Sequence, residues 1–179
     1  SNVLMARVLN AIAGKTACQL ISLSGGTRET AIASKSKAIL SIPTSEKDMT
    51  LNMVSSLAED FRKEYASTEP TLSLCAETLP DSEVFALTIP YTQKVTQLLM
   101  ALPNGVQAMS MDMPGLVQTS VNFGIMELRD DELYLSHSVR SSMTTQKIWV
   151  LERIKAAVNL AGGDTHVSGN YPGCAYNPN

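Results

Sequence analysis

Two long runs on either side of a charged tip constrain this chain more than any other stretch. Their apolar and polar residues alternate, and a side-chain period of two belongs to a β-strand. In the first run Val117, Thr119, Val121, Phe123 and Ile125 point one way, while Gln118, Ser120, Asn122 and Gly124 point the other. In the second, Leu133, Leu135, His137 and Val139 alternate with Tyr134, Ser136, Ser138 and Arg140. The tip is Arg129-Asp130-Asp131-Glu132, and the turn signal Pro103-Asn104-Gly105 opens the region. The pattern predicts a half-buried antiparallel hairpin. Its register follows from parity. A two-residue loop at Asp130-Asp131 would set Asn122 opposite Val139 and mix polar with apolar on both faces. An odd loop of about three residues keeps Val121, Phe123 and Ile125 beside Leu135, His137 and Val139. The odd loop is therefore expected, with one face core and the other carrying Asn122 and Arg140 among serines. That polar face is where binding is expected.

A chain of 179 residues, 44% hydrophobic and 17% charged, has the length and composition of one globular domain. A net charge of −3 leaves no basic footprint and argues against a nucleic-acid partner. No apolar run reaches bilayer length, and the N-terminus carries no secretory pattern, so no membrane partner is expected. Ser1-Asn2 reads as a cloning remnant, with the chain starting inside a larger protein. Cys18, Cys75 and Cys174 fit neither a disulfide framework nor a zinc-ligand spacing, so reduced thiols in the cytoplasm are expected. His137 and His166 are the only histidines and form no HExxH or HxD pair.

Taken in order, Leu4, Val8 and Ile12 with Met5 and Leu9 predict an amphipathic helix over 3–13, closed by Gly14. Strands are expected over 18–23 and 38–42, with Gly25-Gly26 between them as a tight turn or bulge. A phosphate cradle is set aside there, because no helix follows and the GxxxxGKS/T spacing is absent. Met49, Met53, Leu57, Phe61 and Tyr65, widened by Leu51, Val54 and Ala58, predict a helix that ends before Pro70. Its charged side, from Glu59 to Glu64, reads as a solvated face. Residues 71–77 read as a strand, 83–88 are ambiguous, and Pro90 opens a helix through Leu102. After the hairpin, Thr144 or Thr145 caps a helix that Gly162-Gly163 ends. A short strand over 164–168 and a Gly/Pro/Asn loop over 169–179 complete the chain. Strands neither alternate strictly with helices nor form one block. The expected fold class is therefore α+β: a mainly antiparallel sheet covered by helices on one face, in a single domain over 1–179. A β-β-α-β run in each half suggests two related halves.

Six stretches carry a resemblance. They are LMARVLNAIAGK over 4–15, LISLSGGTRETAIASKSKA over 20–38, PNGV over 103–106, GLVQTSVNFGIM over 115–126, HSVRSS over 137–142 and SGNYPGCAYNPN over 168–179. In order and spacing they resemble LLARVL, GGTLRNAIPREA, PNGV, GLVETSLNLGVV, SIRSS and SGxYPGWxPNPxS of the aminoacyl-histidine (Xaa-His) dipeptidases. That family belongs to the dizinc metallopeptidases that include aminoacylase and carboxypeptidase G. The chain departs from its pattern at Thr30, where Asn is usual, at Ala33, where Pro is usual, and at Cys174, where Trp is usual. Thr30 and Ala33 lie in a segment that faces substrate in the family.

The resemblance covers nearly the whole chain but only one part of such an enzyme, its ferredoxin-like satellite, the lid and dimerisation domain. The two zinc ions, their ligands and the general-base Glu belong to a catalytic domain with no counterpart here, and an HSG histidine belongs just upstream of Val3. The fragment alone is thus expected to be inactive and to hold no metal. Two residues carry over. Arg140 matches the family arginine that binds the substrate's C-terminal carboxylate, and a guanidinium fork suits that task. Asn122 matches a strand asparagine near the same site, able to orient a substrate carbonyl or a strand edge. Gly25, Gly26 and Thr27 read as scaffold, and His137, on the core face, as a satisfied structural histidine. The implied activity is zinc-assisted hydrolysis of Xaa-His and related dipeptides in the cytoplasm, with the lid closing to bring Arg140 onto the substrate. Paired lids in the family imply a homodimer partner. The alternative is a non-enzymatic small-molecule-binding or dimerisation module of the amino-acid-sensing type. A third reading is a purely structural partner-binding domain.

Overall fold

The computed structural model describes residues 1–169. Helix α1 (Asn2–Ala13) leads into strands β1 (Gln19–Gly25) and β2 (Ser36–Ser41), a 3₁₀ turn at Thr44–Glu46 and helix α2 (Lys47–Glu64). A second series follows: α3 (Ile89–Ala101), β3 (Gly105–Met109), β4 (Val117–Arg129), β5 (Glu132–Ser141) and α4 (Thr144–Leu160). All four strand pairings are antiparallel, in one five-stranded sheet. Strand β4 is its spine. One edge of β4 pairs with β5 along most of its length, and the other takes β3 near one end and β1 near the other. Where β4 leaves the β1 edge, the start of α3 and the residues just ahead of it complete it. Leu87 N donates to Leu20 O at 2.8 Å, and Leu20 N donates to Thr92 Oγ1 at 2.9 Å.

The core lies on one side of this sheet. Ala6 and Leu9 of α1 and Leu99 of α3 close on Leu20 and Leu23 of β1 and on Phe123 and Met126 of β4. A neighbouring cluster joins Val8, Ile12 and Cys18 to Val54 and Phe61 of α2. Helix α4 contributes the fully buried Val150, and its Gln146 accepts from Thr119 Oγ1, on the same side as Val121 and Phe123. The helices thus cover one face, as expected. In α2 the buried line is Thr50, Val54, Ala58 and Phe61, with Met49 left at the margin.

Three expected elements differ. Residues 71–77 form no strand, although Leu72 and Leu74 pack on the α1/α2 cluster. Their alternation reflects one-sided burial, and no neighbouring strand supplies a ladder. Residues 164–168 are also irregular. Strand β3 was hidden, because it lies at a sheet margin with Val106 and Met109 exposed and shows no clear alternation. Helix α4 starts from Met143 without a side-chain cap, in place of the expected Thr144 or Thr145. The stretch from residue 170 onward, with Cys174, lies outside the described residues.

The hairpin reaches its expected register by an unexpected route. Its loop is the two-residue Asp130-Asp131, with Arg129 opposite Glu132 and Asp130 at a φ of 53°. Yet Val121 faces Val139, Asn122 faces Ser138 and Phe123 faces His137. The missing odd residue sits in the strand, as a bulge between Phe123 and Ile125. Gly124 is the extra residue, and beyond it the alternation of β4 shifts by one while that of β5 continues unchanged. Met126, fully buried, pairs with Leu135 on the core side, while Ile125 pairs with Ser136. The expectation that Ile125 continues the core line of Val121 and Phe123 is thereby corrected.

Asn2, read as a cloning remnant, is built into this bulge. It is buried, and its Nδ2 donates to the carbonyls of Phe123 (3.1 Å), Gly124 (3.4 Å) and Gly25 (3.5 Å). A bulge breaks the regular ladder, and carbonyls it leaves inside need partners.

Candidate substrate-binding site

The polar face of the hairpin holds both sequence-predicted site residues. Arg140 stands opposite Ser120 and Asn122 opposite Ser138, so the two are diagonal neighbours across β4 and β5, roughly 7 Å apart. Arg140 is exposed and makes no ion pair among the described residues. A guanidinium carries its charge at any ordinary pH and offers a planar pair of donors, so an unpaired one on a wet face is equipped to take a carboxylate.

Asn122 is already engaged. Its Nδ2 donates to the carbonyls of Glu29 at 2.8 Å and Ala31 at 2.9 Å. These belong to the connection between β1 and β2, which folds over the polar face. Gly26 N donates to Lys35 O at 3.2 Å and closes the base of that loop. Ser1 Oγ donates to Ala33 O at 2.8 Å. Two glycines let the backbones meet. A Cβ on Gly26, whose φ is +74°, would overlap the Gly124 carbonyl. A Cβ on Gly124 would overlap the Glu29 carbonyl and come within 2.7 Å of that of Arg28. Glu29 and Thr30 border a broad open groove that wraps around β5, taking in Ser138 and Arg140 on one face and His137 and Val139 on the other.

His137 lies on the other side of β5, facing the core. Its ring stacks on Phe123 with centroids 4.4 Å apart and planes 9° from parallel. Burial pushes its pKa down to about 4. The expected satisfied histidine is not what the structure holds, because its buried Nε2 meets no hydrogen-bond partner among the described residues. It is placed away from Arg140, on the opposite face of the sheet. Among the described residues no three His, Cys, Asp or Glu side chains group closely enough to hold a metal. No helix is long and apolar enough to cross a membrane.

No protein-family model matches the chain. Over 173 residues it is 29% identical to the cytosol non-specific dipeptidase of Escherichia coli (strain K12), covering 97% of this chain and 36% of that one. The chain is homologous to part of a dipeptidase. A crystal structure of aminoacylhistidine dipeptidase from Vibrio alginolyticus has the same fold over 99% of this chain and 36% of its own, with a TM-score of 0.94 at 24% identity. This chain spans little more than a third of either dipeptidase.

Against that homology, the sequence reading placed Arg140 and Asn122 on one face, and the structure has them there. It missed the residues that shape this face. Gly124 carried a signal, since a glycine inside an alternating strand often marks a bulge or a close backbone approach. Asn2, Glu29 and Ala31 carried none, because Asn2 acts through a side chain on a distant element and the other two act through backbone carbonyls.

Proposed function

We propose that this chain is the lid, or satellite, domain of a cytosolic zinc metallodipeptidase that cleaves Xaa-His and related dipeptides. It supplies recognition of the substrate's C-terminal carboxylate and closure over the substrate, with the bond-breaking groups in the rest of the full-length protein. The observation that carries this reading is Arg140, exposed and unpaired among the described residues on a face of serines, diagonal to the Asn122 that holds the β1–β2 loop, in a chain homologous to part of a dipeptidase. The described residues do not fit a zinc site, so the metal pair implied for such an enzyme would be held outside them, and no chemical step is assigned to this chain. Its work is positioning. A carboxylate clamped by a guanidinium fork fixes one end of a dipeptide, and so limits where the peptide bond can lie when the lid closes. A second copy of the chain is the further proposed partner. Strand β5 pairs only with β4 among the described residues, and an open edge favours two-fold pairing.

The test is Arg140→Ala in the full-length enzyme. Hydrogen bonds to a charged group contribute about 2–3 kcal/mol, so kcat/KM for dipeptides with a free C-terminus should fall about 30- to 150-fold. C-terminally amidated dipeptides, which offer no carboxylate, should lose far less. Equal losses for both substrate classes would sink the assignment.

A further inference from the structure

We propose that Asn122 is a positioning residue: it clamps the loop over 27–34 across the polar face, and this loop forms the second wall of the site around Arg140. The inference rests on the reading of Arg140 as the carboxylate ligand. It assigns Asn122 a task that needs no contact with substrate.

The loop is tied down more firmly than its burial requires. Ile32 at its crest is 86% exposed, and Arg28, Glu29, Thr30 and Ala31 are exposed with it. A loop so placed has little apolar burial to hold it, and its default is to be loose. Here two strand-borne hydrogen bonds, at 2.8 and 2.9 Å, grip its backbone through Glu29 O and Ala31 O. Gly124 lets the loop backbone sit directly on the strand, and Gly26 sets its base against the Gly124 carbonyl. Ala33, buried at the far end, anchors its return. Both Asn122 N–H groups are thereby spent on carbonyls that carry no side-chain identity. Residues at 27–34 can therefore vary while the clamp keeps the backbone in place. Asn122 stands diagonal to Arg140 on the same face, so the loop it holds at Glu29 and Ala31 is the wall beside the proposed carboxylate ligand.

Asn122→Asp tests this with almost no change in volume, replacing two donors by acceptors that face two carbonyl oxygens. In the full-length enzyme, trypsin cleavage after Arg28 should become roughly tenfold faster, as a pinned loop is released. The KM for dipeptides should rise roughly tenfold with kcat within about twofold, because ground-state and transition-state binding are lost alike. The preference for free over amidated C-termini should persist, since Arg140 is untouched. Gly124→Ala pushes the same loop from beneath without altering Asn122, and should reproduce both effects. Unchanged cleavage after Arg28 in both variants would overturn the clamp. Faster cleavage with unchanged KM would overturn the wall. Loss of the C-terminal preference on Arg140→Ala, with no KM change on Asn122→Asp, would leave the carboxylate site standing and remove only this inference. If Arg140→Ala leaves the preference intact, the site reading itself fails, and the inference with it.

Discussion

Gly124→Ala is a demanding test of how the loop and the hairpin share their stability. Gly124 is buried and its φ is one that alanine adopts, so the strand itself accepts the change, and whatever follows comes from the contact. The new methyl would stand 2.7 Å from the Arg28 carbonyl oxygen and closer still to that of Glu29, whereas ordinary contact begins near 3.4 Å. The nearer Glu29 carbonyl must retreat by about 1 Å, which carries the Asn122 bonds of 2.8 and 2.9 Å out of hydrogen-bonding range. Two such bonds contribute about 1 kcal/mol each, so the expected loss is about 2 kcal/mol, rising to about 3 if the loop resists and strain remains. Urea unfolding of the 179-residue chain should register this as a fall in midpoint of about 1 M at constant slope. The decisive measurement is the double mutant. Asn122→Asp alone should cost about 2 kcal/mol, and adding Gly124→Ala should cost little more, a coupling of about 2 kcal/mol through one shared loop. Strict additivity would refute the reasoning, since it would mean that the methyl and the amide act on separate structure.

The bulge makes a second prediction. Met126→Ala should destabilise by about 2–5 kcal/mol and Ile125→Ala by under about 1.5 kcal/mol, by chemical denaturation; the reverse order would restore the unbroken alternation. His137 makes a third. Its folded pKa, about 4, lies below the unfolded value of 6.5, so its neutral form is favoured by folding. Stability is undiminished above pH 6.5 and declines as pH falls towards 4, by up to about 3 kcal/mol. His137→Phe keeps the stack on Phe123 and removes the titration, so the wild-type-minus-variant difference in melting temperature should change across that window. A flat difference would refute the assignment.

Most of the helices and the central hairpin were legible because each carries its own period. The stripe of α2 and the alternation of β4 are local facts, enforced by burial on one side. What was not legible depends on partners remote in the chain. Leu72 and Leu74 alternate as a strand would, but a strand exists only where another offers a ladder. Val106 and Met109 belong to a strand that shows no pattern, because neither of its faces is strongly buried. The parity argument gave Asn122 and Arg140 a common face from the apolar pairing alone. It placed the odd residue in the loop, whereas Asp130 tolerates a positive φ and permits a tight turn, leaving Gly124 to take it up. For the site, Arg140 was visible as a charge on a polar face. The role of Asn122 was not, since its partners are carbonyls of residues whose identities say nothing about them.

At Gly124 only β4 changes phase, while β5 runs on unbroken with Leu133, Leu135 and His137 towards the core on both sides of the joint. The distal ribbon, from Ile125 to Ser136, can be lengthened or trimmed by whole residue pairs without disturbing which way Asn122 and Arg140 point. The face that carries Asn122 and Arg140 thus keeps its register when the tip changes by whole pairs, which leaves the tip free to be remodelled.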